Sequence, residues 1–101
     1  MPAYMIVTAK IHDRDRFIQD YGAHAAKLVA EYGGKYILMQ PNAQLLEGHF
    51  ADGGSMVISE WPDKETCLRF WNSPEYAEIK KAREGISEVE VMLIEAPSIS
   101  G

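Results

Sequence analysis

Ala3-Tyr4-Met5-Ile6-Val7-Thr8-Ala9-Lys10-Ile11 is the stretch that decides the fold. The run is nearly continuously apolar and rich in β-formers, which is how a strand buried on both faces in the middle of a sheet reads. Ser55-Met56-Val57-Ile58-Ser59-Glu60-Trp61 is apolar in both alternation phases as well, so the chain supplies two central strands.

Working outward from these runs gives the remaining elements. After Ile11, Asp13 or Asp15 can cap a helix whose apolar side chains Phe17, Tyr21, Ala25, Leu28 and Tyr32 recur at helical spacing, and Gly33-Gly34 supplies the left-handed stop. Lys35 to Met39 is β-like, Pro41-Asn42 interrupts it, and Gln44 to Glu47 resumes it, which predicts a bent strand at a sheet edge. Pro62-Asp63 opens a second helix. Within it Ser73-Pro74-Glu75 is a fresh N-cap, with a capping hydroxyl, proline at the first helical position and an acid in the first turn, so the helix is expected in two pieces with a bend. Gly85 ends it. Glu88 to Ile94 alternates Val89, Val91 and Leu93 with acids at its start, as a half-exposed edge strand does.

The order is βαββαβ. Right-handed crossovers place strands one and three in the centre and strands two and four outside. The expected fold class is therefore α+β, a ferredoxin-like four-stranded antiparallel sheet with two helices on one face. Two helices cover only one face, yet Tyr4 and Ile6 oppose Met5 and Val7, and Met56 and Ile58 oppose Val57 and Trp61. The second face is too apolar for water, and a homodimer through the sheet face is the simplest way to bury it.

A chain of 101 residues holds one domain, expected over 1–96, with Pro97-Ser98-Ile99-Ser100-Gly101 as a loose tail. No apolar run approaches the ~20 residues of a membrane span, and the N-terminus does not read as a signal peptide. A lone Cys67 allows no internal disulfide, which suits the cytoplasm. The net charge is -5 and the ten Lys and Arg residues are scattered, so the clustered positive charge that nucleic acid requires is missing. Dinucleotide fingerprints, P-loops, paired zinc cysteines and nucleophile elbows are all absent, and no cofactor is expected.

Several segments together resemble a known family: Met1-Pro2-Ala3-Tyr4, Tyr32-Gly33-Gly34-Lys35-Tyr36, Leu46-Glu47-Gly48, Glu60-Trp61-Pro62 and Trp71-Asn72-Ser73-Pro74-Glu75-Tyr76. The family is the one catalogued as domain of unknown function 1330, and the likeness spans nearly the whole chain. It implies a dimeric α/β barrel, the broad group that also holds cofactor-independent monooxygenases, muconolactone isomerase-like enzymes and haem-degrading enzymes. The family brings no agreed reaction and no established catalytic residue. This chain has Lys35 where arginine is the more usual residue after the paired glycines, which argues against a bidentate anion contact there.

The residues themselves offer a short set of candidates. His24 lies roughly 60° from the centre of the first helix's apolar stripe, with Asp20 one turn earlier; a carboxylate that orients an imidazole is what a general base needs. The bland alternative is a surface pair worth a few tenths of a kcal/mol. His12 and His49 read as solvated. Tyr76, Ile79 and Arg83 share one stripe of the second helix, so Arg83 either pairs with Glu60, binds an anionic substrate group, or snorkels to water from the last turn. Trp71 and Tyr76 flank the bend and with Tyr21 can wall an aromatic pocket, or simply fill the core. Cys67 reads as a small buried hydrophobe.

The function these residues suggest is cofactor-free proton transfer or oxygenation of a small, partly apolar carbonyl or aromatic compound. His24 and Asp20 would be catalytic, and Tyr21, Glu60, Trp71, Tyr76 and Arg83 would hold the substrate. A non-catalytic binding module is the alternative, and haem handling a third reading.

Overall fold

The structure, a computed structural model, describes residues 1–49 and 53–97. Strand β1 runs Ala3–Ile11, β2 Lys35–Gln40, β3 Ser55–Trp61 and β4 Ser87–Glu95. They form one antiparallel sheet in the order β2-β3-β1-β4, with the two doubly apolar runs in the centre as expected. The helices lie on one face, where the core gathers Met5 of β1, Trp61 of β3, Leu28, Val29, Phe70 and Tyr76. The architecture is the ferredoxin-like α+β fold.

The first helix is not uniform. Asp13 caps it, accepting from the Arg16 backbone N–H, and a short α1 (Arg14–Arg16) leads into a π-helical stretch, Phe17–Gly22, before α2 (Ala23–Glu31). In a π-stretch each N–H reaches back five residues rather than four, as the Ala23 N–H does to the Ile18 carbonyl. Gly33 then adopts a φ of 96°, the left-handed conformation that stops the helix. The next residue, Gly34, passes so close to the Trp61 indole that a Cβ would lie 2.7 Å from it.

The second helix is divided as its sequence predicts. Helix α3 (Lys64–Trp71) is capped by Asp63, which accepts from Thr66 N–H at 2.7 Å, and α4 (Pro74–Lys81) by Ser73. Ser73 Oγ donates to the Phe70 carbonyl at 2.8 Å and accepts from Tyr76 N–H at 3.1 Å, so one buried hydroxyl closes α3 and opens α4.

One expectation fails at the edge strand. Strand β2 has an irregularity between Tyr36 and Leu38 and ends at Gln40; Gln44 to Glu47 is not strand. Pro41 has no N–H for the ladder and Asn42 takes a φ of 62°, which turns the chain away from β3. The turn-rich segment is instead tied by Ala43 N–H to the Gly54 carbonyl and Gly53 N–H to the Ala43 carbonyl. The tail expected at 97–101 lies, beyond Pro97, outside the described residues.

The face away from the helices carries Tyr4 and Ile6 of β1, Ile58 of β3, Leu38 of β2, and Met92 and Ile94 of β4, which register places side by side. Met92 and Ile94 are 65% and 53% exposed, so the apolar second face is open in a single chain.

Candidate ligand cavity

A cavity of about 410 Å³ lies between the first helix and the sheet. Alternation along the strands aims Met5, Val7 and Ala9 of β1, Val57 of β3 and Tyr36 and Met39 of β2 into it. Phe17 and Tyr21 of the π-stretch cover it, and Trp71 and Tyr76 close one end. The Ser73 break matters here. It places Trp71 at the end of one helix and Tyr76 in the first turn of the next, so both rings reach the same space, 5.3 Å apart between centroids. The π-stretch likewise brings Phe17 and Tyr21 together, 5.0 Å apart, on the side facing the sheet.

The polar groups of the cavity are few. The Tyr21 and Tyr76 hydroxyls are 2.8 Å apart and share a hydrogen bond. Burial, and next the Tyr76 hydroxyl, push the Tyr21 phenol well above its ordinary value, and the Arg83 guanidinium only partly offsets this. Burial pushes Tyr36 up to about 12. Tyr21 and Tyr36 are therefore protonated throughout the physiological range and offer O–H donors, not bases. Among the described lining residues there is no His, Asp, Glu or Lys; the one charged side chain among them is Arg14, whose Nη2 donates to Ser55 Oγ at 3.2 Å.

Of the residues singled out from sequence, Tyr21, Trp71 and Tyr76 come together in the cavity. Arg83 stands behind them. Its guanidinium carbon lies 5.6 Å from the Tyr21 ring centroid, and its Nε is buried without a hydrogen-bond partner among the described residues. The charge thus faces the outer side of Tyr21 and does not line the cavity.

Glu60 and Arg83 are not partners. Glu60 registers with Tyr4 and Lys35 on the face away from the helices, whereas its neighbours Ser59 and Trp61 point inward. Alternation puts the carboxylate across the sheet from α4, where it meets the Tyr4 hydroxyl; burial and then this carboxylate raise the Tyr4 pKa.

His24 is exposed and does not line the cavity, and Asp20 is exposed with its carboxylate 3.8 Å from Arg16 Nε. The apolar stripe faces inward as its spacing predicts, through Phe17, Tyr21, Ala25 and Leu28, and His24, at the border of that stripe, falls on the water side. His12 is exposed beside Glu88, and Cys67 is buried, its thiol pushed up to about 11 by that burial.

Phe17, Tyr36 and Arg14 are among the lining residues that escaped the sequence reading. Phe17 lay on the recognised stripe but carried no sign of cavity rather than core. Tyr36 stands in an edge strand whose inward phase is set by the irregularity after it. Arg14 gave no signal, because only the folded sheet brings Ser55 opposite it.

The family described as domain of unknown function DUF1330 matches residues 2–97. The chain belongs to that family. No curated protein matches this DUF1330 member in sequence. Its fold is shared with several solved structures. A protein of unknown function from Rhodopseudomonas palustris is 16% identical with a TM-score of 0.79, over 96% of this chain and 83% of that one. A dimeric ferredoxin-like protein of unknown function from Jannaschia sp. CCS1 is 14% identical with a TM-score of 0.73, over 95% and 100%. SnoaB, a cofactor-independent oxygenase from Streptomyces nogalater, is 18% identical with a TM-score of 0.70, over 96% and 94%. Among the described residues no cluster of His, Cys, Asp and Glu could hold a metal ion, and no helix is long and apolar enough to cross a membrane.

Proposed function

We propose that this DUF1330 member is a homodimer that binds a small, largely apolar carbonyl or aromatic compound in each subunit and promotes cofactor-free chemistry on it. The observation that carries the reading is the pair of Tyr21 and Tyr76 hydroxyls in a largely apolar cavity. Its volume falls within the roughly 300 to 1,000 Å³ of small-molecule sites, and its lining has their usual make-up of aromatic walls and a few convergent polar groups. Neutral phenols donate to a ligand's carbonyl or phenolic oxygen, and the hydrogen bond strengthens as that oxygen gains negative charge. The compound would supply its own acidity and release its proton to water at the mouth, because no base among the described residues lines the cavity. A stabilised enolate or phenolate is the species that isomerises by proton transfer or reacts with O₂. The fold shared with a cofactor-independent oxygenase is compatible with this chemistry, although fold alone is a weak warrant for it.

Binding without turnover is the second reading, favoured by that same lack of a lining base. His24 and Asp20 have no part in either.

Native mass spectrometry of protein purified from its own source tests the proposal. The expected spectrum is a dimer carrying up to two equivalents of one small compound, lost in Tyr76→Phe. A monomer, or a dimer that takes up nothing from a library of small carbonyl and aromatic compounds, would overturn it.

A further inference from the structure

The cavity has a second polar end, and it is positive. Arg14 lines the cavity yet is exposed, which places it at the mouth, whereas Tyr76 of the tyrosine pair is buried. Arg14 and Tyr21 lie seven residues apart on the first helix, Arg14 in its α-helical start and Tyr21 in the π-stretch. The space between is walled by Phe17, Val7 and Val57, all apolar.

The charge at this mouth opposes that of the molecule. The chain carries 15 acidic and 10 basic residues, yet among the described residues the one charged lining side chain is a cation. Two acids flank it in sequence: Asp13 is engaged as the helix cap by the Arg16 N–H, Asp15 is exposed in the first turn, and neither lines the cavity. Among the described residues Arg14 makes one side-chain hydrogen bond, to the neutral Ser55 Oγ, which steadies the guanidinium and leaves other N–H donors of its planar fork available.

Resting on the reading of the cavity given above, we infer that Arg14 is a specificity residue for a carboxylate. The ligand class is a flat, monoanionic aromatic or enone acid, with its carboxylate at Arg14 and a hydroxyl or carbonyl oxygen at Tyr21 and Tyr76. Neutral compounds of the same shape bind, but more weakly. The cation at the mouth also favours entry of anions that the acidic surface would otherwise repel.

Calorimetric titration with 4-hydroxycinnamate and its methyl ester tests this, because the two differ only at the carboxyl end, where a methyl group replaces the charge. The wild type should bind the acid on the order of three- to tenfold more tightly than the ester, as expected for a charged hydrogen bond at a partly exposed site. Raising the salt concentration should shrink the preference. Arg14→Gln, checked for folding by circular dichroism, should bind both equally with the ester's affinity unchanged, and Arg14→Lys should keep part of the preference. Tyr76→Phe should weaken acid and ester alike, reporting on the cavity independently of Arg14. Equal binding of acid and ester by the wild type would overturn the inference while leaving the cavity reading standing. A preference that survives in Arg14→Gln would place the anion elsewhere and overturn it too. If neither compound binds, both the carboxylate assignment and the aromatic ligand class fall.

Discussion

The hydroxyl oxygens of Tyr21 and Tyr76 lie 2.8 Å apart, joining the π-stretch of the first helix to the first turn of α4 across the end of the cavity. Each hydroxyl is the other's partner, so removing one leaves a partly buried polar group unsatisfied while removing both does not. Tyr21→Phe and Tyr76→Phe are each expected to cost about 1 to 2 kcal/mol, and the double variant less than their sum. Urea denaturation of the four proteins measures the coupling, and strictly additive losses would show that the hydroxyls do not interact.

Ser73 positions half of that pair. Its hydroxyl caps α4 and ties back to α3, and it is buried. Ser73→Ala should lower stability by about 1 to 2 kcal/mol, the upper part of the range for a lost cap. For a domain of this size that is a fall in Tm of roughly 4 to 8 °C per kcal/mol, readable by calorimetry. Ser73→Asp can still cap but cannot donate to the Phe70 carbonyl, so it should recover only part of the loss.

What was legible in the sequence was local. The central strands announce themselves through apolar residues in both phases, and the Ser73-Pro74-Glu75 cap lies within three residues. The aromatic wall of Trp71 and Tyr76 follows from that cap. The π-stretch was not legible, since nothing in Phe17 to Gly22 distinguishes it from ordinary helix. Arg14 and Ser55 are 41 positions apart, and their meeting depends on the whole sheet. The side of β3 taken by Glu60 was a question of strand phase. The inward-facing Trp61 next to it settles that phase and separates Glu60 from Arg83.

Alkaline pH should loosen the fold. Cys67 is raised from 9.0 to about 11 and Tyr36 from 10.0 to about 12, both chiefly by burial, and Tyr21 is raised as well. The folded chain therefore holds protons that the unfolded chain sheds, so these groups contribute full stability below about pH 9 and lose it as pH rises toward 12. Denaturation midpoints should be level from about pH 7 to 9 and fall above that. Tyrosinate absorbance of the folded protein at about pH 11 should stay below that of the unfolded chain. Midpoints that rise through this window would contradict the assignment.

The open sheet face makes the assembly testable without knowledge of any ligand. Ile6 and Ile58 pair directly on that face, with Met92 beside them 65% exposed. A second copy seated there would remove these side chains from water. At ~25 cal/mol per Å² a buried apolar face of ordinary interface size contributes far more than a few surface contacts do. Ile6→Asp would place a carboxylate without a partner at the centre of such an interface, a cost of several kcal/mol that each of the two subunits bears. Light scattering after size exclusion should then report a dimer for the wild type and a monomer for Ile6→Asp. Glu84→Gln, an exposed change near the end of α4, should leave the dimer intact as a control. If Ile6→Asp and Ile58→Asp both remain dimeric, the subunits associate through another surface and the apolar face needs a different explanation.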